Sequence, residues 1–255
     1  MKIALQIYSI REAGDFEAQL QLAKSTGFDW IESVGTHGLS PQVFADRVRA
    51  AGLGVSSMHA ALTTLETADG LAQIQEACRL TGCPLVVMPW LPMGERPATG
   101  AGWQALGRRL AALGDLFLAQ GIRFAYHNHE WELLSYEGRM ALDWLFSAST
   151  PAQLGWEADL GWVRRGGMAP AVLAEQYADR LVSVHCKDIA APATAVDEDG
   201  WTTLGLGIVG WAELFPVLRR IRPTLDLFVF EHDKPVHFAD TLANSRRFMR
   251  QALFA

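Results

Sequence analysis

Cysteine is scarce in this 255-residue sequence, which contains only Cys78, Cys83 and Cys186. These cysteines form no CxxC pair, and their number is odd. A disulfide framework or a thiolate metal site usually needs paired, regularly spaced cysteines. The sequence therefore predicts reduced thiols and a cytoplasmic protein.

Long apolar runs are also lacking, although 50% of the residues are hydrophobic. A membrane-spanning helix needs about 20 consecutive apolar residues, so we expect no membrane partner. The N-terminal run "MKIALQIYSIRE" is short, alternates with polar residues and has no small-residue cleavage site. It is typical of a first β-strand rather than of a signal peptide.

The sequence also lacks an excess of positive charge, because it contains 22 basic and 28 acidic residues and has a formal charge of −6. The basic residues cluster no further than scattered arginine pairs. Since binding to phosphates needs clustered cations, we expect no nucleic-acid partner. A glycine-rich dinucleotide fingerprint between a strand and a helix is absent too, which disfavours an oxidoreductase.

The sequence does contain eight short β-rich runs that alternate with amphipathic segments. Asp15 and Ser40–Pro41 are typical of helix starts, and Gly82 and Gly121 of helix ends. Eight strand–helix units predict an α/β protein, a (β/α)8 TIM barrel that forms a single domain over residues 1–255. The predicted strands are Ile3–Tyr8, Trp30–Ser33, Gly54–His59, Leu85–Trp90, Arg123–His127, Gln153–Asp159, Leu181–Lys187 and Leu227–Glu231.

Polar residues collect at the carboxyl ends of these strands, which is where TIM-barrel enzymes carry out catalysis. The ends read "QIY", "IES", "SMHA", "MPW", "YHNH", "EAD", "HCKD" and "FEHD". Side chains alternate along a strand, and a buried carboxylate such as Glu231 needs a partner or a cation. The pairs that we expect to share a face are His127 with His129, Glu157 with Asp159, and His185 with Lys187.

Each candidate also has a structural interpretation. His59 is explained equally well as a core histidine, Asp159 as a cap of the following loop, and Glu231 as an ion-pair partner of Lys187 or of an arginine. Strands five to eight, however, each end in a group that can bind a metal. This mixture of carboxylates and imidazole suits one divalent ion, Mn²⁺, Mg²⁺, Co²⁺ or Zn²⁺.

Two further features near the strand ends have two interpretations each. The aromatic residues Tyr8, Trp90, Trp131 and Trp162 suit either the barrel rim or the apolar face of a sugar ring. The glycine-rich run "LGLGIVGW" (Leu204–Trp211) suits an anion site built from backbone N–H groups, or a simple turn.

Six segments together resemble the sugar phosphate isomerase/epimerase superfamily of xylose isomerase-like barrels: "ALQIYSIRE", "YHNHEWEL", "ADLGWVRRGG", "VHCKD", "GLGIVGW" and "VFEHD". The resemblance implies one divalent ion held at the barrel mouth by residues of strands five to eight. Asp159, His185 and Glu231 match the family's ligands. Where the ketose epimerases have a glutamate on strand five, this sequence has His127. We therefore expect Glu132 to be the fourth ligand, with Glu130 or His127 as alternatives.

The implied function is a divalent-metal-dependent isomerase or epimerase that acts on a sugar or keto-sugar through an enediolate. The alternatives are a metal-dependent dehydratase of a keto-sugar or inosose and a non-catalytic sugar-binding barrel. The partner is a small-molecule substrate, and a homo-oligomer is left open. A DNA-repair nuclease on the same barrel resembles this sequence poorly, since only seven histidines are present. The expected catalytic residues are Glu231, Glu132, His127, His129 and Lys187. The expected substrate-binding residues are His59, Trp90, Tyr8 and Glu157.

Overall fold

Eight parallel strands follow one another around a closed barrel, and the last strand pairs with the first. The structure, a computed structural model, describes residues 1–254. The predicted α/β class and (β/α)8 TIM-barrel fold are confirmed. The barrel strands are β1 (Lys2–Gln6), β2 (Trp30–Val34), β3 (Gly54–His59), β4 (Leu85–Met88), β5 (Arg123–His127), β6 (Gly155–Asp159), β7 (Leu181–Cys186) and β8 (Leu227–Phe230).

Several strands are shorter than predicted because local hydrogen bonds or proline end them. Strand β1 ends at Gln6, whose side-chain oxygen accepts from the N–H of Tyr8 and starts a 3-10 helix, Ile7–Ile10. Strand β4 ends at Met88, because the next residue, Pro89, has no N–H to give to a neighbouring strand. The bounds of β3 and β5 are as predicted.

Within residues 1–254, ten α-helices surround or cover the barrel, and they begin and end largely where the sequence indicates. Asp15 accepts from the N–H of Ala18, Ser40 from that of Val43, and Gly82 ends its helix with a φ of 69°. Among residues 1–254, no helix is long and apolar enough to cross a membrane. The helices are α1 (Phe16–Ser25), α2 (Pro41–Ala50), α3 (Leu62–Leu65), α4 (Ala68–Thr81), α5 (Gly100–Leu118), α6 (Ala141–Phe146), α7 (Leu160–Arg165), α8 (Pro170–Gln176), α9 (Trp211–Ile221) and α10 (Phe238–Phe254).

The barrel interior changes from apolar to polar along the strands. A small cluster of apolar side chains fills its lower part, below the carboxyl ends of the strands, and comprises Ala4, Leu85, Val87, Ala125, Leu227 and Val229. Two residues further along β1 and β5, the side chains are Gln6 and His127, which are buried as well. The larger apolar core lies between the barrel and the helices. The fold therefore concentrates its buried polar groups at one end of the barrel.

Candidate metal centre and adjoining pocket

Four side chains from the carboxyl ends of β5 to β8 converge on one point. His127 ends β5, Asp159 ends β6, His185 lies near the end of β7, and Glu231 follows β8. One possible ligand atom from each lies within 4.8 Å of the others, and all four residues are buried. The structure thus brings together the three predicted ligands and adds His127 to them. We call these four residues the upper group.

The carboxylate of Asp159 shows that the upper group fits a cation. Its Oδ1 accepts from the N–H of Trp162 at 2.8 Å, whereas its buried Oδ2 has no hydrogen-bond partner. Oδ2 lies 3.4 Å from Lys187 Nζ, 3.8 Å from His127 Nε2 and 3.9 Å from His185 Nδ1. A buried carboxylate oxygen without a partner is costly. A divalent ion among these groups would satisfy it.

Lys187 is buried beside the upper group. Its Nζ lies 2.8 Å from Glu231 Oε2 and 2.8 Å from Asp233 Oδ1. Burial alone would lower the pKa of Lys187, but the nearby carboxylates outweigh it and raise the pKa. Gly161 permits this packing, because a Cβ there would collide with the backbone and Cβ of Lys187. The site therefore holds a permanent positive charge of its own.

A second layer of polar groups, the lower group, lies beneath the upper one and consists of Glu32, His59, Glu157 and the Nε2 side of His185. Glu157 Oε1 lies 2.7 Å from His59 Nε2 and 3.1 Å from His185 Nε2. Its Oε2 accepts from Ser183 Oγ at 2.6 Å. Burial would raise the Glu157 pKa, but the surrounding histidines hold it well below its usual range. Glu157, expected to bind substrate, thus lies below the pocket with both oxygens engaged.

Glu132, expected as the fourth ligand, belongs to neither group. Its Oε1 accepts from the hydroxyl of Tyr126 at 2.6 Å, and its Oε2 accepts from the N–H of His129 at 2.8 Å. Burial raises the Glu132 pKa to about 7 despite these hydrogen bonds. Tyr126 precedes His127 on β5 and points to the opposite face, so it draws Glu132 away from the upper group. Glu130 lies outside both groups as well.

A pocket of about 510 Å³ opens above the upper group. Of the residues expected to bind substrate, His59, Trp90 and Tyr8 line it. The titratable side chains that line it are His59, His127, His129, Lys187, Glu231 and Asp233. Its other walls are Tyr8, Val34, Pro89, Trp90, Trp131 and Trp162. The pocket thus combines aromatic walls with charged groups on one side.

His129 is held in this pocket by aromatic stacking. The ring centroids of His129 and Trp131 lie 4.0 Å apart, and the two rings are nearly parallel. The guanidinium of Arg96 lies 3.5 Å from the centroid of the same Trp131 ring. Its Nδ1 is buried, which leaves Nε2 as the ring nitrogen available to a ligand. Burial lowers the pKa of His129 well below its usual range. Burial therefore favours the neutral form of this imidazole.

The glycine-rich run Leu204–Trp211 is a turn around a carboxylate of the chain itself. Asp188 Oδ2 accepts from the N–H groups of Gly205 and Gly207, and Oδ1 accepts from those of Val209 and Ile189. These bonds are 2.9 to 3.1 Å long. The N–H groups of Gly205, Gly207 and Val209 therefore bind the carboxylate of Asp188 rather than an external anion.

Four polar residues of the site have no role predicted from the sequence: Gln6, Glu32, Asp188 and Asp233. Gln6 and Glu32 stand in the strand ends "QIY" and "IES", at inward positions that pair across β1 and β2. Asp233 stands two residues after Glu231 in "FEHD". The available signal was the same as for the other candidates, namely a polar side chain at a strand end.

The chain belongs to the xylose isomerase-like TIM-barrel family, whose model matches residues 20–252. Among curated proteins, it is similar to the rhizopine catabolism protein MocC of Rhizobium meliloti, with 30% identity over 110 residues. This match covers 43% of the chain and 33% of MocC, so it spans about a third of that protein's length. The family model establishes the family of this chain, whereas the short match to MocC carries no activity over to it.

Three solved structures show the same fold. A sugar phosphate isomerase/epimerase from Parabacteroides distasonis ATCC 8503 has a TM-score of 0.79 and 18% identity, covering 99% of this chain and 95% of its own. The IolI protein with a bound zinc atom has a TM-score of 0.74 and 14% identity, covering 99% and 98%. The probable 3-DHS dehydratase AsbF of Bacillus anthracis has a TM-score of 0.72 and 17% identity, covering 98% of each chain. At these identities the likeness concerns the fold alone.

Proposed function

We propose that this protein is a divalent-metal-dependent isomerase or epimerase of a sugar or keto-sugar. The observation that carries the proposal is the buried Asp159 Oδ2, which accepts no hydrogen bond and lies among three nitrogens beneath an aromatic-walled pocket. The zinc atom of the IolI structure supports it, because that protein shares the fold. The metal is one of Mn²⁺, Mg²⁺, Co²⁺ and Zn²⁺, as the donor set implies.

The ligands in this proposal are His127, Asp159, His185 and Glu231. His127 takes the place that we expected for Glu132, because both oxygens of Glu132 are already hydrogen-bonded. Two carboxylates and two imidazoles are a donor set that borderline divalent ions accept. When bound, the ion supplies Lewis acidity to a substrate carbonyl and its neighbouring hydroxyl.

Two side chains of the pocket handle the proton and the developing charge. The neutral imidazole of His129 accepts the proton from the carbon between the carbonyl and the hydroxyl, and returns a proton to a neighbouring position. General acid–base help of this kind contributes about 10²–10⁴ in rate. The ammonium of Lys187, which is always charged, stabilises the enediolate oxygen by direct hydrogen bonding.

The walls of the pocket indicate the substrate class. Trp90, Trp131, Trp162 and Tyr8 offer flat apolar faces that suit the C–H face of a sugar ring. A pocket of about 510 Å³ lies within the range typical of small-molecule sites. The run Leu204–Trp211 offers no free N–H groups at Gly205 and Gly207 to a phosphate. The proposed substrate class is therefore a keto-sugar or cyclic ketone.

Asp233 favours a second candidate, the dehydration of a keto-sugar or inosose. Loss of water needs an acid beside the departing hydroxyl as well as a base beside the C–H bond. Asp233 lines the pocket, and burial raises its pKa to about 6 despite the attraction of Lys187. A fraction of this carboxyl is therefore protonated near neutral pH. The fold similarity to AsbF supports the same candidate.

The test is solvent exchange with metal-loaded protein. Purified protein is loaded in turn with each of the four ions and incubated in D₂O with a panel of keto-sugars, inososes and their phosphates. Isomerisation or epimerisation should place deuterium at the carbon next to the carbonyl, as seen by NMR and mass spectrometry. Dehydration should instead give a product lighter by one water. Metal-loaded protein that binds sugars but exchanges no proton would support the non-catalytic sugar-binding barrel and contradict our proposal.

A further inference from the structure

We propose that Glu32 is a positioning residue, which orients His185 so that its Nδ1 faces the ion. This inference rests on the metal site of the proposed function but does not depend on the reaction. Glu32 lies on β2, on the other side of the barrel from β7, and is fully buried. Its Oε1 lies 2.6 Å from His185 Nε2.

The backbone of Tyr8 orients the side-chain amide of Gln6. Its Oε1 accepts from the backbone N–H of Tyr8 at 3.1 Å, so the amide nitrogen is the atom that faces the lower group. That nitrogen lies 2.8 Å from Glu32 Oε1 and 3.1 Å from His59 Nδ1. An amide nitrogen can only donate. Glu32 Oε1 therefore presents a lone pair, and so does His59 Nδ1.

The lone pair of Glu32 Oε1 fixes the proton of His185. His59 Nε2 lies 3.0 Å from this oxygen, but His185 Nε2 is nearer, at 2.6 Å. Without a proton on His185 Nε2, two lone pairs would face each other at that distance, so His185 Nε2 carries a proton. The ring's other nitrogen, Nδ1, lies 3.1 Å from Glu231 Oε2 and 3.9 Å from Asp159 Oδ2. Nδ1 is thus the nitrogen that faces the upper group and can bind an ion.

A carboxylate that accepts from the distal nitrogen of a ligating histidine is a known way to fix the ring and raise its basicity. His59 closes the arrangement, because its Nε2 donates to Glu157 Oε1 at 2.7 Å and occupies that carboxylate. Contacts 2.6 to 3.1 Å long thus connect the members of the lower group. Its role is to hold His185 in place from below.

The first test is the zinc affinity of Glu32→Gln, measured by competition with a chromogenic chelator in the absence of any sugar. Loss of such a supporting carboxylate typically weakens metal binding about 10- to 100-fold. Glu132→Gln is the matched control, because Glu132 is equally buried but hydrogen-bonds only Tyr126 and the backbone of His129. We expect the control to change zinc affinity less than about threefold. Gln6→Met removes the donor to Glu32 Oε1 and should weaken binding to an intermediate degree.

The second test identifies the ligating nitrogen by NMR of zinc-loaded protein with ¹⁵N-labelled histidine. Wild-type His185 should show a zinc-bound Nδ1 and a protonated Nε2, with the Nε2 proton shifted downfield by its carboxylate partner. In Glu32→Gln this proton should move upfield, because its acceptor is no longer charged. A change of fold alone would shift all histidine resonances together.

The outcomes separate this inference from the proposed function. Zinc affinity insensitive to Glu32→Gln, ligation through Nε2, or two zinc ions per chain would overturn the inference. An effect of Glu132→Gln larger than that of Glu32→Gln would overturn it as well, and would identify Glu132 as a ligand. Zinc binding that depends on Glu32 without any proton exchange on sugars would support the inference while contradicting the proposed function. A wild-type protein that binds no divalent ion would overturn both.

Discussion

Replacing Lys187 by methionine should lower turnover strongly and at the same time tighten metal binding. Lys187 Nζ lies 2.8 Å from Glu231 Oε2, 2.8 Å from Asp233 Oδ1 and 3.4 Å from Asp159 Oδ2. It thus neutralises carboxylates that a divalent ion also needs. Methionine keeps a similar length and fills the same buried space without the charge.

The magnitude follows from comparing the metal-free and the metal-loaded protein. Removing one partner of a buried ion pair costs about 3–5 kcal/mol, because the other charge is left unpaired. This cost applies in full to the metal-free variant. In the loaded variant the ion neutralises the same carboxylates. If the bound ion cancels only about 1.4 kcal/mol of this cost in the loaded variant, the variant binds zinc about tenfold more tightly than the wild type, by linkage. Turnover should fall by about 10²–10³, as for the loss of one donor to a developing oxyanion.

The assay is zinc affinity by chelator competition, combined with urea unfolding of metal-free and metal-loaded protein. Lys24→Met is the control, because Lys24 forms an exposed pair with Asp29 at 2.8 Å. Such surface pairs contribute less than about 1 kcal/mol, so the control should leave zinc affinity unchanged. Zinc binding by Lys187→Met that is equal to or weaker than wild type would refute the competition between Lys187 and the ion.

Three further predictions concern the metal ligands, His129, and His37, which belongs to neither the metal centre nor the pocket lining. Asp159→Asn and Glu231→Gln should each lower zinc occupancy and abolish turnover while the barrel still folds. Glu231→Gln should also lower the melting temperature, because it removes an ion pair with Lys187. Stoichiometric zinc by elemental analysis would contradict the ligand assignment. His129→Gln should keep its zinc and lose about 10²–10⁴ in kcat, and full activity would exclude His129 as the proton carrier. Burial lowers the pKa of His37 to about 4, below the 6.5 of the unfolded chain, so the unfolded state binds the proton first. Stability should therefore rise between pH 4 and 6.5 by up to about 3 kcal/mol. His37→Asn, which tolerates the positive φ of 54° at this position, should flatten this slope in urea unfolding. An unchanged slope would assign it to other groups.

The part of the site that lies on regular strands could be predicted from the sequence. Asp159 and His185 face the same point because paired parallel strands bring their carboxyl ends to one edge, and the two residues are direct register partners. Alternation within a strand then places their side chains inside the barrel. Counting along a strand is enough for this step, since no loop conformation enters it.

The rest of the site depends on contacts that one strand does not reveal. Glu132 follows the end of β5, and its position is decided by the hydroxyl of Tyr126, a loop contact without a sequence period. Glu32 stands at a register shift between β2 and β3, and its partner His185 is 153 residues away. The alternation of side chains along β2 places the Glu32 carboxylate inside the barrel. Its contact with the imidazole of His185 becomes apparent only in the closed barrel.

The turn around Asp188 has a consequence for how selectivity could change during evolution. Four N–H groups converge on a carboxylate that the chain supplies itself. In a variant such as Asp188→Gly, these donors would surround a hole of about the size of one carboxylate, which formate in the buffer could refill. The loop is therefore one substitution away from accepting a foreign anion.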